Sequence, residues 1–199
     1  MVKSRARAEL FVEDEAHRAF VVALLNRLAE ETGTAVDVSV ISARGGHGRV
    51  SRELGLYKRA VEVRGGSPDL VVVAIDANCR EHREVLSELR GIIRQELFPR
   101  RAFAVPDPHV ERWYMADPAS LAHHLGIHIT WERRKCERAL YKKMLIDALK
   151  CAGYIVSLGG AEYAEDFVRV MNLYQAGKNE PSLGSFVDEL RNCLKSITP

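Results

Sequence analysis

The sequence predicts an α/β protein in which a mostly parallel sheet is flanked by helices. Through the first 125 or so residues, short apolar runs alternate with segments of helical periodicity, the order expected of an α/β sheet. The strongest apolar run, residues 70–75, contains no polar side chain. Such a run is typical of a central strand in a parallel sheet, which is buried on both faces.

The composition is that of an ordinary globular protein, with 199 residues of which 47% are hydrophobic and 28% charged. No apolar run approaches the roughly 18–20 residues that a membrane helix needs. The start of the chain lacks the apolar stretch of a signal peptide, so we expect a cytoplasmic protein that does not enter the membrane. The net charge of +2 identifies no partner. The four cysteines are widely spaced, which favours neither a disulfide framework nor a zinc ribbon.

The first strand is predicted over residues 8–13, an apolar run that ends abruptly in acids. A helix follows over residues 15–31, because apolar side chains recur near every third or fourth position and Gly33 is a suitable helix end. The sequence AVDVSVI, residues 35–41, alternates apolar and polar side chains and is predicted to be the second strand.

A glycine-rich loop, SARGGHG, occupies residues 42–48, and a weaker helical pattern covers residues 49–60. The strongest strand, DLVVVAID, comes next, followed by a helix over residues 80–97. AFAV, residues 102–105, is the fourth predicted strand and is closed by Pro106 and Pro108. A further helix begins in the HVERWYMAD segment.

Beyond residue 127 the pattern changes to helices alone, predicted over residues 134–151, 161–176 and 182–196. We therefore expect an α/β core over residues 1–127 and, over residues 128–199, a helical C-terminal extension that packs on this core.

Three acids follow predicted strands: Glu13, Asp76 and Glu111. Ligands of open parallel sheets bind beyond the carboxyl ends of the strands, where such acids converge. Carboxylates grouped in this way suit Mg²⁺, which prefers oxygen ligands and can promote displacement at phosphorus. The alternative for each acid is a cap of the following helix, and Asp76 in particular could cap the helix after its strand.

The segments LFVEDEAHRAFVVALL, LVVVAIDAN and Pro106–Trp113 (PDPHVERW) resemble the motifs of the Toprim family. The likeness is to small Toprim-related proteins encoded beside ATPases in phage-defence clusters and, more distantly, to the overcoming-lysogenization-defect nucleases. The resemblance implies a Toprim-like, Rossmann-like fold, with Glu13 in acid/base or metal chemistry and Asp76 as a ligand of Mg²⁺ or Mn²⁺. Asn78 stands where the family has a second aspartate and is an expected metal ligand through its amide oxygen, which carries no charge. Glu111 is a further expected ligand, and either Glu111 or Asp117 could replace the missing aspartate.

The glycine-rich loop offers Arg44, His47 and Arg49 as candidate substrate-binding residues, because backbone N–H groups in such a loop are accessible to phosphate. A plain surface turn is the alternative. The loop matches neither the P-loop nor the dinucleotide-binding pattern.

These observations lead to one expected function and two alternatives. We expect a Mg²⁺-dependent protein that cleaves nucleic acid, with DNA as the expected substrate and an ATPase as a partner protein. The first alternative is a non-catalytic binding or regulatory subunit, and the second is an α/β enzyme acting on small phosphorylated molecules. Whether the chain forms a homodimer is left open.

Overall fold

The computed structural model describes residues 5–42, 46–129 and 137–197. Its four strands are β1 (Ala6–Val12), β2 (Val36–Ser42), β3 (Leu70–Ala74) and β4 (Arg101–Ala104). They form one sheet in the order β2-β1-β3-β4, and every neighbouring pair is parallel. The predicted α/β class, with a parallel sheet flanked by helices, is confirmed.

The sheet is covered on both faces, which explains the unbroken apolar run of β3. All five residues of β3 are buried. Leu10 and Val72 belong to the hydrophobic core on one face, and Phe11 and Val73 to the core on the other. Because successive side chains of a strand point to opposite faces, a strand buried on both sides has no position for a polar residue.

Three long helices connect these strands: α1 (Glu15–Thr32), α2 (His47–Arg64) and α3 (His82–Ile92). Helix α1 packs on one face, whereas α2 and α3 pack on the other. Asp14 caps α1 by accepting the backbone N–H of His17, and Gly33 ends the helix with φ of 66°. A residue with positive φ at this position is commonly glycine, because a side chain there is strained.

The remaining helices join the core on the α1 face. Trp113 stacks on Phe186 with ring centroids 5.6 Å apart, and its indole N–H donates to the Ser182 hydroxyl at 3.0 Å. These helices are α4 (Val110–Tyr114), α5 (Pro118–Leu125), α6 (Arg138–Cys151), α7 (Ala164–Val170), α8 (Leu173–Asn179) and α9 (Pro181–Ile197).

The helix predicted over residues 161–176 is wrong as a continuous element. The structure has a 3₁₀ turn, Ala161–Tyr163, followed by α7 and α8. The break occurs at Asn172, whose side chain accepts the backbone N–H groups of Tyr174 and Gln175 and whose own N–H donates to Asp117. An asparagine that caps a new helix ends the preceding one, although the apolar periodicity continues.

Glu162 organises the turn before α7. Its carboxylate accepts backbone N–H groups from Ser157, Leu158 and Gly160. Burial raises the pKa of Glu162, but these donors outweigh it and lower the pKa to about 2. Glu162 thus has a structural role in this turn.

Two further observations bear on the sequence-based expectations. Within the described ranges, no helix is long and apolar enough to cross a membrane. Cys79 is disulfide-bonded, which the wide cysteine spacing did not predict, whereas Cys151 and Cys193 are free.

Helices α8 and α9 approach each other at two glycines, and this gives a test of the packing. A Cβ at Gly177 would lie 2.9 Å from the Cα of Gly184, so Gly177→Ala forces two backbones apart. We expect a loss of about 1–3 kcal/mol in the free energy of unfolding, measured by urea denaturation. The control is Gly55→Ala in α2, where a Cβ would meet no atom of the described residues within 4 Å. It should stabilise by about 0.5–1 kcal/mol, and equal effects of the two changes would contradict the packing.

Candidate metal centre

Glu13 and Asp76 lie together at the carboxyl edge of the sheet. Glu13 directly follows β1, and Asp76 lies two residues beyond β3. The two strands are neighbours in the sheet, with Val12 opposite Ala74. The backbone N–H of Asp76 donates to Oε2 of Glu13 at 3.1 Å. Both carboxylates are buried, with 8% and 5% of their surface exposed.

His17 connects the first turn of α1 to this pair. Its Nδ1 lies 2.8 Å from Oδ1 of Asp14, and its Nε2 lies 3.0 Å from Oδ1 of Asp76. The imidazole is completely buried. A buried histidine held between two carboxylates fixes the position of the helix start relative to the end of β3.

The segment after β4 completes the surroundings of Asp76. Nδ1 of His109 lies 3.1 Å from Oδ2 of Asp76, and the N–H of Val110 donates to Oδ1 at 2.9 Å. Asp76 therefore accepts the first backbone N–H of α4. The cap position of α3, the next helix in the chain, is Glu81. Among the described residues, none forms a hydrogen bond with Nε2 of the buried His109.

His17 and Asp76 strongly shift each other's pKa. Burial alone lowers the pKa of His17, but the charge of Asp76 and hydrogen bonds to Asp14 and Asp76 raise it to about 10. Burial raises the pKa of Asp76, but the charge of His17 and the hydrogen bonds from His109 and His17 lower it to about 2. At neutral pH the cluster therefore contains an imidazolium beside a carboxylate.

Glu13, His17 and Asp76 could hold a metal ion. Each offers one ligand atom, and these atoms all lie within 4.8 Å of one another. Two carboxylates and an imidazole are a common donor set for divalent metals. The contact between Asp14 and Nδ1 of His17 also matches the arrangement of metal-bound histidines, whose second nitrogen usually donates to a carboxylate.

Asn78 and Glu111, the two further predicted ligands, lie near Asp76. Asn78 has φ of 55°, its backbone N–H donates to the carbonyl of Pro108, and its side-chain amide donates to the carbonyl of Asp76 at 3.4 Å. Asparagine tolerates this left-handed conformation better than most residues, which gives a local reason for its presence. Glu111 lies in the first turn of α4, and burial, reinforced by the charge of Asp76, raises its pKa.

The glycine-rich loop reaches the same edge. Arg44 lies outside the described residues. Gly46 precedes α2, and a Cβ on it would be 3.9 Å from Oε1 of Glu13. His47 lies in the first turn of α2 with Nε2 3.8 Å from Oε2 of Glu88, and Arg49 is exposed on the same turn.

Sequence reasoning missed His17 and His109. A signal for His17 was present, because it lies three, four and seven residues before Phe20, Val21 and Leu24, on the buried face of α1. A polar residue on an apolar helix face requires a partner, which here is Asp76. His109 had no comparable signal, since it lies in a proline-bounded loop.

No family model, curated protein or solved structure matches this chain.

The His17–Asp76 pair should make stability depend on pH in a defined window. The raised pKa of His17 contributes stability that is complete below about pH 6.5 and is lost as the pH rises through about 10. The lowered pKa of Asp76 contributes stability that is complete above about pH 4 and is lost as the pH falls through about 2. In metal-free buffer, the difference in unfolding free energy between wild type and His17→Asn should be greatest between about pH 4 and about pH 6.5, where both contributions are complete. A difference that stays constant from pH 4 to about pH 10 would contradict the pairing.

Proposed function

We propose that this chain is a divalent-metal-dependent, Toprim-like protein that cleaves phosphodiester bonds in nucleic acid. The observation that carries the proposal is the convergence of Glu13, His17 and Asp76 from two neighbouring strand ends and the first turn of α1. Sites at the carboxyl edge of a parallel sheet are where α/β proteins place their chemistry. Glu13 and Asp76 are also the two acids to which the Toprim resemblance gives a role in metal chemistry.

The donor set fits Mg²⁺ or Mn²⁺. Carboxylate oxygens suit both ions, and the imidazole of His17 adds a donor that transition metals accept more readily. When bound, such an ion would polarise a phosphoryl oxygen and make a bound water more acidic. Glu13 and Asp76 supply the negative charge that attracts the cation, and Asp14 keeps the ring of His17 oriented through Nδ1.

The surroundings of the cluster favour a polyanionic substrate, for which we propose DNA. Helix α2 starts beside Glu13, and its cap, Gly46, offers no side-chain acceptor to the first N–H groups. A helix N-terminus of this kind attracts phosphate oxygens. Exposed cations continue along the helix, and such a series neutralises a phosphate backbone. They are Arg49, Arg52, Arg59 and Arg64.

A non-catalytic subunit is the second candidate, and two observations favour it. All three possible ligands are buried, and Asn78 removes the charge of the expected second aspartate. In this alternative the cluster joins α1, β3 and α4, and the chain acts by binding a partner. The ATPase partner implied by the resemblance is compatible with both proposals.

The catalytic proposal is tested by nicking of supercoiled plasmid DNA with Mg²⁺ or Mn²⁺. We expect cleavage that chelation abolishes. Glu13→Gln and Asp76→Asn should each reduce the rate at least about a hundredfold, because each removes a charge that stabilises the cation. The control is Asp188→Asn, a change of the same kind at a side chain that is 78% exposed on α9, which should cleave at the wild-type rate.

Activity that survives both changes in folded protein contradicts the site. If no divalent metal supports cleavage while the chain binds a protein partner tightly, the subunit alternative is favoured instead. Circular dichroism and a thermal melt of each variant separate loss of the site from loss of the fold.

The orienting role of Asp14 gives a test that does not depend on activity. Because Asp14 holds the ring of His17, Asp14→Asn should weaken Mn²⁺ binding about 10–100-fold, as other losses of an orienting carboxylate do. Binding is measured from the free Mn²⁺ signal in electron paramagnetic resonance. Glu15→Gln, which changes the next acid along the chain, is the matched control. Equal affinities of wild type and Asp14→Asn would contradict the orienting role of the Asp14 charge.

A further inference from the structure

The two edge strands of the sheet, β4 and β2, differ in how their outward backbone groups are hydrogen-bonded. At β4, the outward backbone groups are occupied by α9: the N–H of Phe103 donates to Glu189 at 2.9 Å, and Sγ of Cys193 donates to the carbonyl of Arg101 at 3.5 Å. An edge covered in this way cannot pair with another strand. β4 is therefore closed to further pairing.

At β2, the opposite edge, the outward row is largely unoccupied by the part of the chain that the structure describes. The carbonyl of Ala35 accepts the N–H of Ala6 in β1, so odd-numbered residues of β2 face the sheet and Val36, Val38 and Val40 direct their backbone groups outward. Among the described residues, the hydrogen bond that reaches this outward row comes from the exposed Arg5, which donates to the carbonyl of Val36 at 3.0 Å.

The composition of β2 makes this edge suitable for strand pairing. The strand has seven residues, VDVSVIS, with one charge and no proline. Its three valines are only partly buried and pack against the α1 face of the core. Natural edge strands usually avoid pairing by being short, or by carrying lysine, proline or a bulge. The sequence of β2 contains neither lysine nor proline.

We propose that β2 pairs antiparallel with β2 of a second copy, which joins the two sheets into one of eight strands. A twofold axis perpendicular to the sheet at Val38 keeps the faces of the two sheets in register. It sets Val38 opposite Val38 and Val36 opposite Val40, so that outward backbone groups meet each other and valines meet valines.

The polar side chains of β2 favour this register over the one centred on Asp37. On the α2 face of the sheet, Asp37 stands opposite Ser39 of the second copy, and the hydroxyl can donate to the carboxylate. A register centred on Asp37 would set two carboxylates against each other, which is destabilising. The ion pair of Arg5 and Asp37, 2.6 Å long, lies inside this interface, and Arg5 has to release the carbonyl of Val36 when the two strands pair.

The oligomeric state gives the first test. Sedimentation of the wild type over a concentration series should show a monomer–dimer equilibrium. Val38→Pro removes an outward N–H that the monomer does not use, and proline is tolerated on such an edge. This variant should sediment as a monomer and still unfold in a cooperative thermal transition, at a lower temperature because Val38 also packs on the core. Val63→Ser, which changes a valine that is 85% exposed on α2, should dimerise like the wild type.

Disulfide trapping tests the register and does not depend on Val38→Pro. Asp37→Cys and Ser39→Cys are prepared separately in a Cys151→Ser background, because Cys151 is exposed. Directly opposite Cβ atoms lie about 4.5–5.5 Å apart, whereas diagonal ones lie about 7–8 Å apart and out of disulfide reach. Mild oxidation should therefore cross-link the mixture at least about tenfold more than either variant alone.

A monomeric wild type at the highest soluble concentration, a dimeric Val38→Pro, or equal cross-linking of the mixture and the single variants would each overturn the proposal. These outcomes would leave the proposed metal-dependent function untouched. The axis runs through β2, so the two metal centres lie at opposite ends of the joined sheet and neither contributes a residue to the other. Mn²⁺ binding by Val38→Pro should equal that of the wild type.

Discussion

The carboxylate of Asp76 is the interaction on which the arrangement at the carboxyl edge depends. It contacts His17 from α1, His109 from the loop after β4, and the N–H of Val110 at the start of α4. An ionised carboxylate that is only 5% exposed must be neutralised and hydrogen-bonded to be tolerated. Each contact therefore ties an element of the fold to the end of β3. The proposed function and the local architecture share the same atoms for this reason.

The placement of Glu13 and Asp76 could be predicted from the sequence because it follows from short-range patterns. Apolar runs identify the strands, and the parallel alternation of strand and helix puts their carboxyl ends on one edge. The run before Asp76 is unbroken because β3 is buried on both faces. The end of α1 at Gly33 could be predicted equally well from the sequence, since a single residue determines it.

The partners of Asp76 could not be predicted in the same way, because they depend on long-range contacts. His17 lies 59 positions away and His109 lies 33 away, and no local pattern relates such pairs. The contact of Asp76 with α4 was missed for the same reason. The sequence suggested that Asp76 caps α3, the next helix in the chain, whereas in the structure it accepts the N–H of Val110 in α4. The break at Asn172 was missed because its side chain forms a cap within an apolar pattern that otherwise continues.

The charge of His17 explains how a site suited to a cation can be stable without one. With a pKa of about 10, the imidazole is positive at neutral pH and neutralises Asp76 from within the protein. A divalent cation bound by Glu13 and Asp76 would supply the same neutralisation, and His17 would then contribute a lone pair in place of a charge. Asp76 would thus exchange one positive partner for another, and the contact of Asp14 with Nδ1 would serve both states. Such an exchange would let the cluster stabilise the fold and still offer a metal site.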